Sequence, residues 1–295
     1  MNYVYEVRKN YRQDDVLRKS FNELAGETFG LDFEGWYQNG YWTDNYNPYS
    51  IVIDNKVVSN ISVNKMEFMC DGEHKTYIQL GTVMTDKEYR NQGLTKILMK
   101  EIENDFIHMV DGFYLFANDS VLDYYPKFGY EKATEYQYSK VIIAGSKEMS
   151  CKPARQIEMN NKEARLLLEK AIDTSISNSS FAMIHNKGLI MFYVTQFMKS
   201  NVYYIEGDKA YVVAEIKEDR LLLHMIFSEK VVNIDNIASA FGSKINKVVL
   251  GFTPLCKEGY EIEEVCEENT TLFVKGRVFT SFNEEKRMFP LLSHA

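Results

Sequence analysis

The segment that most restricts what this chain can fold into is residues 76–106. Residues 76–85 are largely apolar and read as a buried strand. A short polar link follows. Leu94, Ile97, Leu98, Ile102 and Phe106 then fall on one face of a helix. A buried strand that feeds a helix across so short a link belongs to a sheet with helices on its face. The flanking pattern agrees. Residues 3–8 alternate as a strand, Asp14 offers a helix N-cap before Leu17, Phe21 and Leu24, and Gly30 is a stop. Residues 50–53 and 57–63 flank Asp54-Asn55-Lys56 as a hairpin, and Asp71-Gly72 marks a second turn. Residues 112–117 form another buried strand, a short helix ends near Gly129, and residues 130–143 supply closing strands.

The pattern breaks at Ala144-Gly145-Ser146 and starts again with a strand at 155–159 and a helix at 164–172. Strands at 202–206, 211–216 and 221–227, a helix at 236–241 and a strand at 247–250 complete the second half. The order of elements resembles the first half without a residue-level repeat. The expected fold is α+β: two domains, 1–145 and 146–295, each a mixed, mostly antiparallel sheet flanked by helices.

Composition narrows the function classes. A net charge of −8 leaves no broad basic field, so no nucleic acid is expected as a partner. No run of about 18 apolar residues exists to span a membrane. The first residues carry no basic stretch before an apolar one, so no secretory signal is expected. Cys70, Cys151, Cys256 and Cys266 are scattered, as reduced cytoplasmic thiols are. His74 lies four residues after Cys70 with no second half-site, so no metal is expected.

The chemistry points to Val83-Met84-Thr85-Asp86-Lys87-Glu88-Tyr89-Arg90-Asn91-Gln92-Gly93-Leu94-Thr95. Consecutive backbone N–H groups in such a turn converge, and the first N–H groups of a helix have no internal partners. With the helix dipole and Arg90, this makes an anion cradle fit for a pyrophosphate. Gly93 lacks a Cβ and lets a phosphate approach the backbone. The nucleoside-triphosphate loop fails here, because Leu94 follows the glycine where Lys-Ser/Thr is needed. The dinucleotide fingerprint fails for want of glycines.

The spacing resembles the GNAT superfamily of N-acetyltransferases, whose signature Arg/Gln-x-x-Gly-x-Gly/Ala stands at this junction. Arg90 and Gly93 match, and Thr95 departs from the last position. Asn118-Asp119-Ser120-Val121-Leu122-Asp123-Tyr124-Tyr125-Pro126-Lys127-Phe128-Gly129-Tyr130 is similar to the family segment that carries a tyrosine before x-x-x-Gly-Phe/Tyr. The tandem arrangement is similar to the enhanced-intracellular-survival family, in which a degenerate GNAT-like domain follows the active one. The chain looks too short for that family's further C-terminal domain.

The resemblance implies acetyl-CoA as co-substrate, held by Val83, Met84, Thr85, Arg90, Asn91, Gln92, Gly93, Leu94, Thr95, Lys96, Asn118 and Ser120, and a primary amine of a small molecule as acceptor. Tyr125 takes the role of general acid toward the leaving thiolate, with Tyr124 the fallback. The second domain has no glycine turn after residues 221–227 and is not expected to bind coenzyme. No base identifies itself. Trp36, Tyr37 and Tyr41, with Asp32 and Glu34, stand where the resemblance implies an acceptor wall, and aromatic faces attract organic cations; the alternative is that most of these rings pack helices on the sheet and one lines the pocket. The apolar tail around Phe289, Leu291 and Leu292 should dock, either as a cover for the second domain's core or, by resemblance, so that the carboxylate of Ala295, assisted by His294, enters the site. The competing expectations are a protein-lysine acetyltransferase and a non-catalytic acyl-CoA-binding regulator.

Overall fold

The computed structural model describes residues 5–142 and 152–294. The pattern break at Ala144-Gly145-Ser146, Cys151 and Ala295 lie outside them. Local chemistry sets the first elements. The Asp14 carboxylate accepts from the backbone N–H groups of Val16 and Leu17 and starts α1, Asp15–Phe29; Gly30, at φ +70°, ends it. Leu17, Phe21, Leu24 and Ala25 form its buried face. A short helix, α2, Glu34–Gln38, follows.

The first sheet begins with β1 Glu6–Lys9, β2 Tyr46–Ile53, β3 Lys56–Cys70 and β4 Glu73–Thr85. Its two tight turns put Asp54 and Asn55, then Asp71 and Gly72, at positive φ, as two-residue hairpins require. Helix α3, Leu94–Phe106, then leads to β5, Gly112–Ala117. The expected short helix after Asn118 is two 3₁₀ turns, Asp119–Val121 and Tyr125–Phe128, the second closed by Gly129 at φ +79°. Strands β6, Glu131–Lys132, and β7, Tyr136–Val141, come next.

The second half contains β8 Arg155–Gln156, α4 Lys162–Thr174, β9 Phe181–Ile184, α5 Lys187–Gln196, β10 Val202–Ile205, β11 Ala210–Lys217 and β12 Arg220–Phe227. It ends with α6 Ile234–Ala240, β13 Lys247–Leu250, β14 Glu261–Glu264 and β15 Thr271–Lys275.

The two sheets share one pattern. The first runs β1-β2-β3-β4-β5-β15-β6, with β9 also on β3, and the second runs β8-β10-β11-β12-β13-β7-β14 in the corresponding order. In each, the fourth and fifth strands are parallel and the other neighbours antiparallel. The sixth strand is exchanged. β15 pairs with β5 (Thr271↔Ala117 to Lys275↔Phe113), while β7 pairs with β13 (Lys247↔Val141 to Leu250↔Tyr138). The first sheet thus takes β9 and β15 from residues after 146, and the second takes β7 from residues before 145.

An aromatic core fills the space between the sheets. Phe289 of the tail stacks on Tyr114 of β5 at 3.9 Å between ring centroids and meets Phe68, Phe181 and Phe282. Among the described residues no helix is long and apolar enough to cross a membrane.

Candidate active site

The parallel pairing of β4 with β5 stops at Gln79↔Tyr114. Beyond it the two strands part, so β4 residues 80–85 have no strand partner on that side. On the other side the β3 register jumps from Asn60↔Met84 to Ser62↔Gly81, so Thr82 and Val83 together face Ile61 as a β-bulge. Thr82 sits at φ +46°. A buried polar chain holds it there. The Asn60 amide donates to the Thr82 carbonyl (2.9 Å) and to Ser62 Oγ (3.0 Å). Ser62 Oγ donates to Tyr46 Oη (2.8 Å), which also meets Thr82 Oγ1 (2.9 Å). Ser50 and Tyr11 extend the chain from Asn60 Oδ1. Side chains from β2 and β3, with Tyr11 from the segment before α1, thus fix one bend in β4, at the point where β5 has turned away.

The turn after β4 follows the sequence reading closely. Asn91 and Gly93 lie at φ +62° and +77°. No side chain caps α3 at Gly93, and the N–H groups of Leu94, Thr95 and Lys96, in its first turn, have no partner within the helix. Residues 90–93 are exposed. Arg90 Nε donates to the Thr85 carbonyl (3.1 Å) and Gln92 Nε2 to the Glu88 carbonyl (3.2 Å), which braces the turn from within. Asp86 caps the Glu88 N–H and pairs with Lys56. Asn118 and Ser120 are exposed where β5 ends, while Val83 and Thr85 are half-buried and Met84 is buried.

The two tyrosines of the second landmark differ. The Tyr125 ring is buried against Tyr130 and Phe273, and its hydroxyl has no hydrogen-bond partner among the described residues. Burial pushes its pKa up to about 12, so it stays protonated and available as a donor. Tyr124 is half-buried, its pKa is raised by burial, and its hydroxyl is held by Thr95. Thr95 Oγ1 in turn lies 3.4 Å from Thr85 Oγ1.

The expected acceptor wall is not assembled as one surface. Trp36 is 3% exposed, donates its indole N–H to the Gly188 carbonyl (2.8 Å) and packs on Phe192 and Trp42, joining α2 to α5. Glu34 chelates Arg18, which holds its carboxyl below the usual range. Asp32 accepts from the Glu34 N–H. Tyr37 lies under the Arg18 guanidinium (3.8 Å) and donates to Gln13. Tyr41 lines a cavity of about 470 Å³ and donates to Glu169 (2.7 Å). Trp36 lies in the core because α5 buries Leu189, Ile190, Met191, Phe192 and Val194 and needs an apolar partner.

The tail does reach β5. His294 stacks on Phe116 at 3.7 Å, Tyr114 donates to the Ser293 carbonyl, and Tyr193 donates to the His294 carbonyl. Burial lowers the His294 pKa to about 4, so the imidazole is neutral, and its Nε2 has no partner. Sequence reasoning missed the polar chain of Tyr46, Asn60 and Ser62. Polar residues inside the apolar runs 50–53 and 57–63 were its only trace.

Residues 12–130, which span the bulge, the turn and both tyrosines, match the model of the acetyltransferase (GNAT) family. These residues are a GNAT acetyltransferase domain. No curated protein matches the chain in sequence. Among solved structures, the chain is similar to a conserved protein of unknown function from Enterococcus faecalis V583, with TM-score 0.62 and 16% identity over 96% of this chain and 75% of that one. It is also similar to Eis1 from Mycobacterium abscessus (TM-score 0.56, 10% identity, 91% and 73% covered). A GCN5-related N-acetyltransferase from Kribbella flavida has TM-score 0.54 and 16% identity, with 92% and 71% covered. At these identities the likeness concerns the fold, and it extends over the GNAT domain and the second sheet together.

Proposed function

We propose that the protein transfers the acetyl group of acetyl-CoA to a primary amine of a small molecule by direct attack. The carrying observation is the juxtaposition of an uncapped α3 N-terminus behind Gly93, the parting of β4 from β5 beyond Gln79↔Tyr114, and the unpartnered phenol of Tyr125. The cradle residues 90–96 fit a pyrophosphate, because their free donors are backbone N–H groups and the exposed glycine leaves the approach open. The open edge of β4 suits the extended arm that follows a pyrophosphate.

In the reaction a neutral amine attacks the thioester carbonyl. Negative charge develops on that oxygen, and a backbone N–H of the Val83–Thr85 strand, beside the bulge, is the donor that would stabilise it. Tyr125 donates its proton to the departing thiolate, whose conjugate acid has a pKa of about 8.5. The amine sheds its proton to water. Asp32 and Glu34 are committed to local structure, and burial works against His294 accepting a charge. The tail's packing across Phe116 supports a small acceptor over an extended peptide, since it covers that flank of β5. The unpaired thiols of Cys70, Cys256 and Cys266 fit a cytoplasmic setting.

The test is release of free thiol from acetyl-CoA against a panel of small amines and lysine peptides, with Tyr125→Phe alongside. Turnover should fall about a hundredfold or more with coenzyme affinity retained. A wild-type rate in that variant moves the acid to Tyr124 or water. A peptide-only acceptor profile overturns the small-molecule reading.

A further inference from the structure

Glu67 of β3, His74 of β4 and His185, the residue after β9, converge on one point at the far end of the first sheet from the Gly93 turn. His185 Nδ1 lies 2.9 Å and His74 Nε2 3.2 Å from the same oxygen, Glu67 Oε2. The donor atoms all lie within 4.8 Å of one another. Lys65 occupies the other carboxylate oxygen at 3.2 Å and so turns Oε2 toward the imidazoles.

We infer that these three side chains form a binding site for a divalent ion of the zinc class, with water in the remaining position. Ligands about 2.0–2.1 Å from a tetrahedral ion stand about 3.3–3.4 Å apart, near the 2.9 and 3.2 Å between each imidazole nitrogen and Glu67 Oε2. Two imidazoles and one carboxylate suit zinc, cobalt or nickel and are a poor set for magnesium or calcium, which take oxygen donors. The carriers are rigid. Glu67 pairs with Thr76 and Ile184, and Met69 with His74, so β3, β4 and β9 hold the donors on one continuous sheet. The Asn45 amide donates to the His185 carbonyl (3.1 Å) and fixes the third.

Two donors come from the first half of the chain and one from the second. The bound ion therefore anchors the connector between β9 and α5 to the β3–β4 hairpin. His185 also lines the 470 Å³ cavity beside Tyr41, so the ion stiffens that wall. Sequence spacing hides the site, because 118 residues separate Glu67 from His185.

The test uses the untagged full-length chain after chelator treatment, titrated with zinc chloride and, separately, magnesium chloride. One zinc per chain, a raised Tm with zinc and no response to magnesium are expected. His74→Ala and His185→Ala should each weaken zinc binding at least about tenfold, the scale seen when even a supporting contact to a metal ligand is lost. His108→Ala, at another exposed histidine, should leave it unchanged. His74 and His185 are exposed and Glu67 is half-buried; Glu67→Gln supplies a further variant that keeps the shape. Absence of stoichiometric zinc, or binding that survives the His74 and His185 substitutions, overturns the assignment whether or not the protein transfers acetyl groups.

Discussion

Replacing Gly93 by alanine separates the cost to the fold from the cost to the ligand. An ideal Cβ at Gly93 meets no protein atom within 4 Å, so the methyl group causes no clash in the free protein. What remains is the backbone penalty at φ +77°, about 1–2 kcal/mol, offset by about 0.4–1 kcal/mol from the stiffer unfolded chain. The net loss is about 1 kcal/mol, or a Tm lower by roughly 2–4 °C for a chain of this size. Gly259 is a matched control, at φ +80° with nothing within 4 Å. Gly259→Ala should show the same small Tm loss. Only at Gly93 does the methyl group enter the space a phosphate needs. Displacing an anion from one charge-assisted N–H donor costs about 1.5–3 kcal/mol, which is a loss of affinity of about tenfold to 150-fold. Calorimetric titration of acetyl-CoA into both variants reads the difference. Equal, undiminished affinity in the two would refute the phosphate cradle.

Tyr46→Phe removes the hydroxyl that joins Ser62 to Thr82, at a stability cost of about 1–3 kcal/mol, and should lower kcat more than it raises KM for acetyl-CoA. An unchanged kcat would detach the bulge from catalysis. Trp36→Ala should cost about 3–5 kcal/mol by denaturant titration, since the ring is buried and its N–H is bonded to Gly188. A stable variant with altered acceptor choice would return Trp36 to the pocket wall. The rate should climb with pH toward an amine pKa of about 10, because the neutral fraction rises about tenfold per unit below it. Tyr125, pushed up to about 12, stays protonated over that range. A bell-shaped profile with a limb near pH 7 would reveal a protein base.

Local chemistry was legible and partner choice was not. Asp14, Gly30 and the two hairpin turns marked their elements because a cap or a positive φ is a property of a few adjacent residues. The turn at residues 90–93 was legible for the same reason. Helix α5 escaped notice because Leu189, Ile190, Met191, Phe192 and Val194 are all buried and leave no stripe to read. The aromatic run near Trp36 announced burial, but only the position of Gly188 and Phe192 shows what it is buried against. Residues 136–141 and 271–275 have the composition of closing strands, and nothing in either says which sheet it closes.

That exchange of β7 and β15 has a consequence for synthesis on the ribosome. The outer edge of β5 gains its partner only when residues 271–275 exist, and 150 residues separate Asp119 from Asn269, which hydrogen-bond beside that junction. Until then β5 offers unpaired N–H and C=O groups, and residues 136–141 are the nearest strand able to take them. The first sheet therefore cannot finish folding in the order in which it is made. A locally paired β7 would have to leave β5 before the native sheet closes, which points to a slow, late step set by topology and to a nascent chain that needs its exposed edge shielded.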